Sequence, residues 1–304
     1  MALALDAARE HEGATAPNPP VGCTLLDQHG EVLATAAHCG VGQPHAEALA
    51  IKNAKNIGVD ARIHTIVVTL EPCNHHGRTP PCTEAILSTT AQFVVAGTMD
   101  PNPGVKGGGL ARLATAGLGV RQFGGSAEKA LARLIAPFAK AVIHGLPWVT
   151  VKQAFNAEGN MIPPVGRKTF TSPASLLLAH QLRRRADAIF TGSGTVLADQ
   201  PLFTVRHAPD IPGKRRELVL FDRRQRIPAS YIDVSRSRGF DVQIADDLEV
   251  ELRMVVQRGG LEVLVEAGPT FTSHVLASTF WDECVRITQT ENDDHIEIIR
   301  RESH

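Results

Sequence analysis

The chain has 304 residues, enough for roughly two domains. Its 31 basic and 32 acidic side chains leave a net charge of −1, which argues against a nucleic-acid protein built on a strong positive field. With 43% hydrophobic and 21% charged residues the composition excludes a disordered chain, and no apolar run approaches the ~20 residues that span a bilayer.

Residues 2–12 predict a helix, and its charged Asp6, Arg9, Glu10 and Glu12 argue against a secretory signal. A cytoplasmic location is expected. Val21–Leu26 and Glu31–Ala37 predict two strands joined by the turn DQHG. A helix over Ala46–Asn56, a buried strand over His64–Leu70, a short helix over Thr83–Ser88 and a buried strand over Gln92–Ala96 follow. The loop DPNPGVKGGG is too rich in Gly and Pro for a regular element. Helices are expected at Leu110–Ala116 and at Ala127–Ile143, the latter kinked at Pro137. They end near His144-Gly145-Leu146-Pro147, which divides the chain into domains 1–145 and 146–304.

The second half opens on the strand PWVTVKQAF and continues with a helix after Ser172-Pro173. Strands are predicted at Ala188–Thr191, Leu218–Phe221, Val242–Ala245, Leu261–Glu266 and near Cys284–Gln289, with a helix after Gly268-Pro269. Strands alternating with helices predict an α/β fold, with open sheets covered by helices in both domains.

Five cysteines (Cys23, Cys39, Cys73, Cys82 and Cys284) are an odd number in a long chain, so they read as reduced thiols or metal ligands rather than a disulfide framework. The chemistry concentrates in PHAEALA and TLEPCNHHGRTPPC. A catalytic zinc takes three protein ligands and keeps a fourth position for water. His45, Cys73 and Cys82 supply such a set, and Glu47 at the helix start can carry a proton from the water to a leaving amine. H-x-E followed by P-C is the zinc-deaminase signature. Its usual P-C-x-x-C spacing is opened here, with NHHGRTPP between the two thiols.

Together with APNPPVG, DPNPGVKGGG, VKQA, LRRRADAIFTGSGTVLADQPLFTVR and VEAGPT, these segments resemble the bifunctional riboflavin biosynthesis deaminase–reductase family over nearly the whole chain. The resemblance implies a cytidine-deaminase-like α/β/α domain followed by a dihydrofolate-reductase-like α/β domain. It implies one zinc per chain, NADPH in the second domain, and a phosphoribosylated pyrimidine as substrate. No nucleic-acid or membrane partner is expected, and a homo-oligomer is.

On the deaminase side, Asn18 can hydrogen-bond a heterocycle edge, and His75, His76 and Arg78 bring donors beside the metal, although a supporting role suits the two histidines equally. Lys106 with Gly107–Gly109 can offer an ammonium and backbone amides to an anion; a plain connector has the same composition. No GxGxxG follows the first strand of the second half, which disfavours a Rossmann site. There the resemblance implies cofactor contacts at Thr195, Asp199, Gly268, Pro269 and Thr270, substrate contacts at Arg183, Arg206 and Glu266, and Lys152 near nicotinamide and sugar. Two guanidiniums, Arg183 and Arg206, converging on one phosphate make chemical sense. Arg184 and Arg185 read as a solvated helix face.

The second domain departs from the family at three places. Asn156-Ala157-Glu158-Gly159-Asn160 replaces an S-L-D-G-R segment, with Arg167 and Thr169 standing near where a serine and tryptophan are usual. Arg223 stands where a serine near the cofactor is common. After the strand at Cys284–Gln289 only ENDDHIEIIRRESH remains. The expectation is therefore a zinc-dependent deaminase with a degenerate, shortened reductase-like domain. The alternatives are the full bifunctional enzyme and a deaminase recruited to a pyrimidine-derived secondary-metabolite pathway. A nucleic-acid base editor is disfavoured by the neutral charge.

Overall fold

Short apolar runs separated by alanine-rich helical segments build two open sheets. The computed structural model describes residues 1–75, 80–104, 108–161, 170–291 and 293–301. His76, Arg78, Lys106, Gly107, Arg167 and Thr169, all named above, lie outside the described residues. The chain divides into two compact units, Met1–His144 and Gly145–His304.

The first unit runs α1 (Ala2–Arg9), β1 (Gly22–Leu26), β2 (Val32–Ala37), α2 (Ala46–Asn56), β3 (Thr65–Leu70), α3 (Cys82–Leu87), β4 (Phe93–Thr98), α4 (Gly108–Thr115), β5 (Gly119–Gln122) and α5 (Glu128–His144). Its sheet has the order β2-β1-β3-β4-β5. β1 pairs antiparallel with both neighbours, whereas β3, β4 and β5 are parallel. Burial explains the order. From Ile66 to Leu70 every residue of β3 is buried, as the central strand of a covered sheet requires, while β5 is an outer strand with the Arg121 and Gln122 side chains exposed. α2 lays Ala46, Ala50, Ile51 and Ala54 into the core, and its small alanines let the helix lie close to the sheet. Gly22 serves the same closeness on α1, because a Cβ there would stand 1.9 Å from the Ala4 carbonyl oxygen.

The second unit runs β6 (Trp148–Phe155), α6 (Pro173–Arg185), β7 (Ala188–Gly192), α7 (Ser193–Asp199), β8 (Arg216–Phe221), α8 (Ala229–Ser237), β9 (Phe240–Ala245), α9 (Leu248–Gln257), β10 (Glu262–Glu266), α10 (Pro269–Ala277), β11 (Glu283–Gln289) and β12 (Asp294–Arg300). The sheet order is β12-β11-β6-β10-β7-β8-β9, parallel except for the antiparallel β11–β12 pair. Alternate residues of its central strands feed two cores. Val149, Val151, Phe190, Val263 and Val265 pack on one face, and Ile189, Leu218, Leu220 and Leu264 on the other.

Several sequence expectations are corrected here. Residues 294–300 are no remnant: they form β12, which pairs with β11 along its whole length, so β11 is not an edge. The charged Asp294, His295, Glu297 and Arg300 hide the strand pattern, because most of β12 is exposed while Ile299 packs on the core. The segment 156–160 keeps an ordered turn: Asn156 Oδ1 accepts the Asn160 amide at 2.7 Å, and Gly159 takes the positive φ of 80° that the reversal requires. The run Gly192-Ser193-Gly194-Thr195 opens the helix α7 rather than remaining a turn. α8, α9 and β5 are further elements that sequence reading passed over, and α5 is one helix through Pro137.

Candidate active sites

In the first unit, His45 is the N-cap of α2, with extended backbone, and Glu47 sits in the first turn. The strand β3 ends at Leu70, and the chain then passes through Cys73 to Cys82, the first residue of α3. These elements bring the three expected ligands together. Their donor atoms all lie within 4.8 Å of one another. His45 Nδ1 is 3.6 Å from Cys73 Sγ and 3.3 Å from Cys82 Sγ. A tetrahedral zinc with ordinary Zn–N and Zn–S bonds sets that spacing at about 3.5 Å. The donor set therefore fits the metal without rearrangement.

The electrostatics suit a cation. The Cys82 thiol, the His45 ring and the Cys82 amide all face the Cys73 sulfur and pull its pKa well below the thiol range. With Cys73 ionised and the site buried, the Cys82 thiol is pushed the other way. Glu47 is buried, and desolvation raises its carboxyl to about 6. Its position beside the ligands matches a group that exchanges protons near neutrality.

Asn18 Nδ2 lies 3.3 Å from Nε2 of His38. His38 Nδ1 faces the Pro44 carbonyl at 3.1 Å, so that nitrogen carries the proton and Nε2 accepts from Asn18. The Asn18 amide is thereby oriented, with its carbonyl oxygen turned away from His38. Sequence reading missed His38; a histidine between the end of β2 and the H-x-E motif was its only signal. It also missed Glu71. That buried carboxylate accepts the Gly109 amide at 3.0 Å, the Leu110 amide at 3.1 Å and the Asp100 amide at 3.3 Å. The Gly109 amide is therefore already engaged, and the expected anion cradle at Gly107–Gly109 is corrected in this respect. Gly109 is needed for another reason, since a Cβ there would stand 1.9 Å from the Pro72 carbonyl oxygen. His75 is exposed beside the cysteine loop.

In the second unit the parallel strands β6, β7, β8, β9 and β10 end on one edge of the sheet, where ligands of open α/β sheets bind. A pocket of about 1340 Å³ opens there. Lys152, Arg183, Arg206, Glu266, Thr195, Asp199 and Gly268 through Thr270 all line it. Thr195 Oγ1 accepts the Gly268 amide at 2.8 Å, which ties the turn after β7 to the turn after β10. Glu266 receives Lys152 Nζ at 2.9 Å and a two-pronged Arg183 at 2.7 Å. Burial alone would raise the Glu266 pKa; the two cations outweigh it and hold the carboxyl well below its usual range.

The expected convergence of Arg183 and Arg206 on one phosphate is not what this geometry presents. Arg183 spends its fork on Glu266, and its remaining nitrogen faces His180 and the Thr204 carbonyl at 3.3 Å. Arg206 stays exposed, its backbone amide held by His180 Nδ1 at 2.8 Å. Nor is Arg185 merely solvated, for it pairs with Glu262 at 2.7 Å.

Comparison with known proteins finds a match for each unit. Residues 1–98 match the cytidine and deoxycytidylate deaminase zinc-binding region, and residues 147–289 match the RibD C-terminal domain. The riboflavin biosynthesis protein RibD of Mycobacterium tuberculosis is 36% identical over 278 residues, 91% of this chain and 80% of the relative. The chain belongs to the bifunctional riboflavin biosynthesis deaminase–reductase family. Among solved structures, RibD of Acinetobacter baumannii superposes with a TM-score of 0.81 at 32% identity, covering 94% of this chain and 84% of that one. A diaminohydroxyphosphoribosylaminopyrimidine deaminase/5-amino-6-(5-phosphoribosylamino)uracil reductase of Thermotoga maritima gives 0.78 at 28% identity, covering 95% and 85%. The chain is thus an enzyme of this family with both of its domains. Among the described residues no helix is long and apolar enough to cross a membrane.

Proposed function

We propose that this chain is the full bifunctional enzyme rather than a deaminase with a spent second domain. Domain 1–145 hydrolyses 2,5-diamino-6-(5-phosphoribosylamino)pyrimidin-4(3H)-one to 5-amino-6-(5-phosphoribosylamino)uracil. Domain 146–304 reduces the ribosyl group of that product with NADPH. The single observation that carries the two-step reading is the intact Lys152–Glu266–Arg183 cluster in a pocket of about 1340 Å³. That volume exceeds the range usual for one small ligand, roughly 300–1,000 Å³. It has room for a sugar phosphate and a dinucleotide together.

In the first step His45, Cys73 and Cys82 would hold zinc, which when bound supplies a Lewis acid that eases deprotonation of water. Glu47 takes up that proton at its carboxylate and returns it to the departing amine, so that water in and ammonia out balance. Asn18 holds the pyrimidine edge through the amide that His38 orients, with His75, His76, Arg78 and Lys106 as further contacts. In the second step NADPH supplies two reducing equivalents. Lys152 stands at the reacting sugar and Glu266 aims it through their 2.9 Å ion pair, while Arg206 remains the cation open to the substrate phosphate. Thr195, Asp199, Gly268, Pro269 and Thr270 form the cofactor side. Association of identical chains belongs to the same reading and rests on Ile296 and Ile298, exposed on the outermost strand β12.

The test is incubation with the phosphoribosylated diaminopyrimidine, with and without NADPH, followed by mass analysis. Exchange of NH for O reports deamination, and a further gain of two hydrogens reports reduction. Deamination without any gain of hydrogen would return the second domain to a degenerate role.

A further inference from the structure

The outermost strand of the second unit begins beside its pocket. β11 runs parallel to β6, so its end at Gln289 lies on the sheet edge where the pocket opens, and Ile287 lines that pocket. β12 turns back from there and starts with Asp294, the register partner of Gln289. The half-buried Asp294 side chain meets the start of α6, where its Oδ2 accepts the Ser172 amide at 2.6 Å.

Ser172 is the N-cap of α6, and its Oγ accepts the Ser175 amide at 3.3 Å. A helix start of this kind is completed when a carboxylate at the third helical position reaches back to the N-cap amide, the reciprocal half of a capping box. Here the third position is Ser175, whose hydroxyl faces Ser172 Oγ at 3.4 Å and whose side chain is buried on the pocket wall. Asp294, 122 residues away in sequence, supplies the carboxylate instead. Its negative charge also meets the positive end of the helix dipole.

The helix fixed in this way carries one wall of the pocket. Ser175, Ala179, His180 and Arg183 are its buried positions, all line the pocket, and their spacing puts them on one helix face. Thr171, just before the cap, lines it too. His180 holds the Arg206 amide and Arg183 grips Glu266, so a shift at the start of α6 is passed to the side of the pocket that faces the pyrimidine substrate. Lys152 and Glu266 are placed otherwise, by the register of β6 and β10. We propose that Asp294 is a positioning residue of the reductase pocket: from β12 it completes the cap of α6 and thereby sets the substrate wall, while the sheet places Lys152. The inference rests on the reading of this unit as a nicotinamide-dependent reductase. It also gives a task to the segment after β11 that the sequence presents as a remnant.

The experiment compares the full wild-type chain with Asp294→Ala, Asp294→Asn and, as a control on the same strand, Glu297→Ala, which removes a pair with Arg286 of β11. Reduction of 5-amino-6-(5-phosphoribosylamino)uracil by NADPH is followed at varied concentrations of each reactant, and amide hydrogen exchange is measured over residues 171–180. Asp294→Ala should raise the KM of the pyrimidine about five- to tenfold, the scale of one lost cap, with kcat and the KM of NADPH close to wild type. The amides at the start of its α6 should exchange faster. Asp294→Asn keeps an acceptor of the same shape and should fall between the alanine variant and the wild type. Glu297→Ala should match the wild type in both measurements. A wild-type pyrimidine KM in Asp294→Ala, or unchanged exchange at the start of α6, overturns the proposal. So does a rise in KM that Glu297→Ala shares, or a fall in kcat that only follows a lower unfolding midpoint. If the wild type itself does not reduce, the reductase reading fails and the proposal with it; exchange at α6 tells that failure from a failure of the cap.

Discussion

Lys152 and Glu266 are register partners on the parallel strands β6 and β10, and their side chains meet at 2.9 Å. Neighbouring positions on parallel strands point to the same face, so the contact follows from strand pairing alone. Arg183 reaches the same carboxylate from α6. The arrangement fixes a lysine ammonium at the mouth of the pocket and gives it a partner that stays ionised.

Removing that partner should be costly. Glu266→Gln leaves two cations facing each other with little solvent to screen them. Breaking a buried ion pair on one side typically costs about 3–5 kcal/mol. Urea unfolding of the variant should show the second unit destabilised by that order, and reduction should fall with it. Deamination by the same preparation should persist. An unchanged midpoint would mean that the cluster contributes no net stability.

Much of this was legible in the sequence. Short runs of Val, Ile and Leu gave the central strands, because these are buried on both faces, and His45, Glu47 and Cys73 announced themselves by their spacing. The outer elements were not legible. β12 presents His295 and Glu297 to solvent, and the four residues of β5 are too few to display an alternation. α9 left a readable sign that was passed over, Asp247, whose side chain caps the Val250 amide at 3.0 Å. The roles of Glu71, His38 and His180 depend on partners distant in sequence, and no local pattern encodes them.

His180 predicts a particular response to pH. Burial, with the charges of Arg183, His207 and Arg206, holds its pKa down to about 4. Nδ1 accepts the Arg206 amide, so the ring proton sits on Nε2, and a second proton would break that bond. Between the unfolded value of 6.5 and the folded value of about 4, the unfolded chain binds more protons. Stability should therefore fall as pH drops through that window. Urea midpoints at pH 7 and pH 5 measure the loss, and His180→Asn should reduce it. Glu266 titrates well below the usual carboxylate range, so its contribution is lost only in stronger acid. A midpoint that is flat from pH 7 to pH 5 would count against the neutral imidazole.

At the first site, metal binding and proton transfer should separate. Cys73→Ser removes a ligand, so purified protein should carry far less zinc and deaminate poorly. Glu47→Gln keeps all three ligands but cannot accept a proton. General acid–base work contributes roughly 10²–10⁴-fold, so deamination should drop at least about a hundredfold with zinc content unchanged. A Gln variant that keeps most of its rate would remove Glu47 from the mechanism.

The last prediction concerns the helix that braces the cysteine loop. α4 begins at Gly108, and Gly109 lies so close to the loop that an added Cβ would stand 1.9 Å from the Pro72 oxygen and 3.2 Å from Glu71 Cγ. Real atoms do not approach so closely, so Gly109→Ala must push the helix and the loop apart. The amides of Gly109 and Leu110 would then leave Glu71, whose carboxylate is buried and would lose two of its donors. Overpacking of this kind costs about 1–3 kcal/mol. Pro72 adjoins Cys73, so the displacement should reach the metal ligands. Thermal unfolding should show a lower Tm for the first unit, and a chelator should strip zinc faster from the variant. Gly108→Ala is the matched control, because nothing lies within 4 Å of a Cβ at that position. Alanine should be tolerated there, and by helix propensity it can even stabilise the first turn by up to about 1 kcal/mol. If the two variants lose stability and zinc alike, closeness to Pro72 is not what requires glycine at 109.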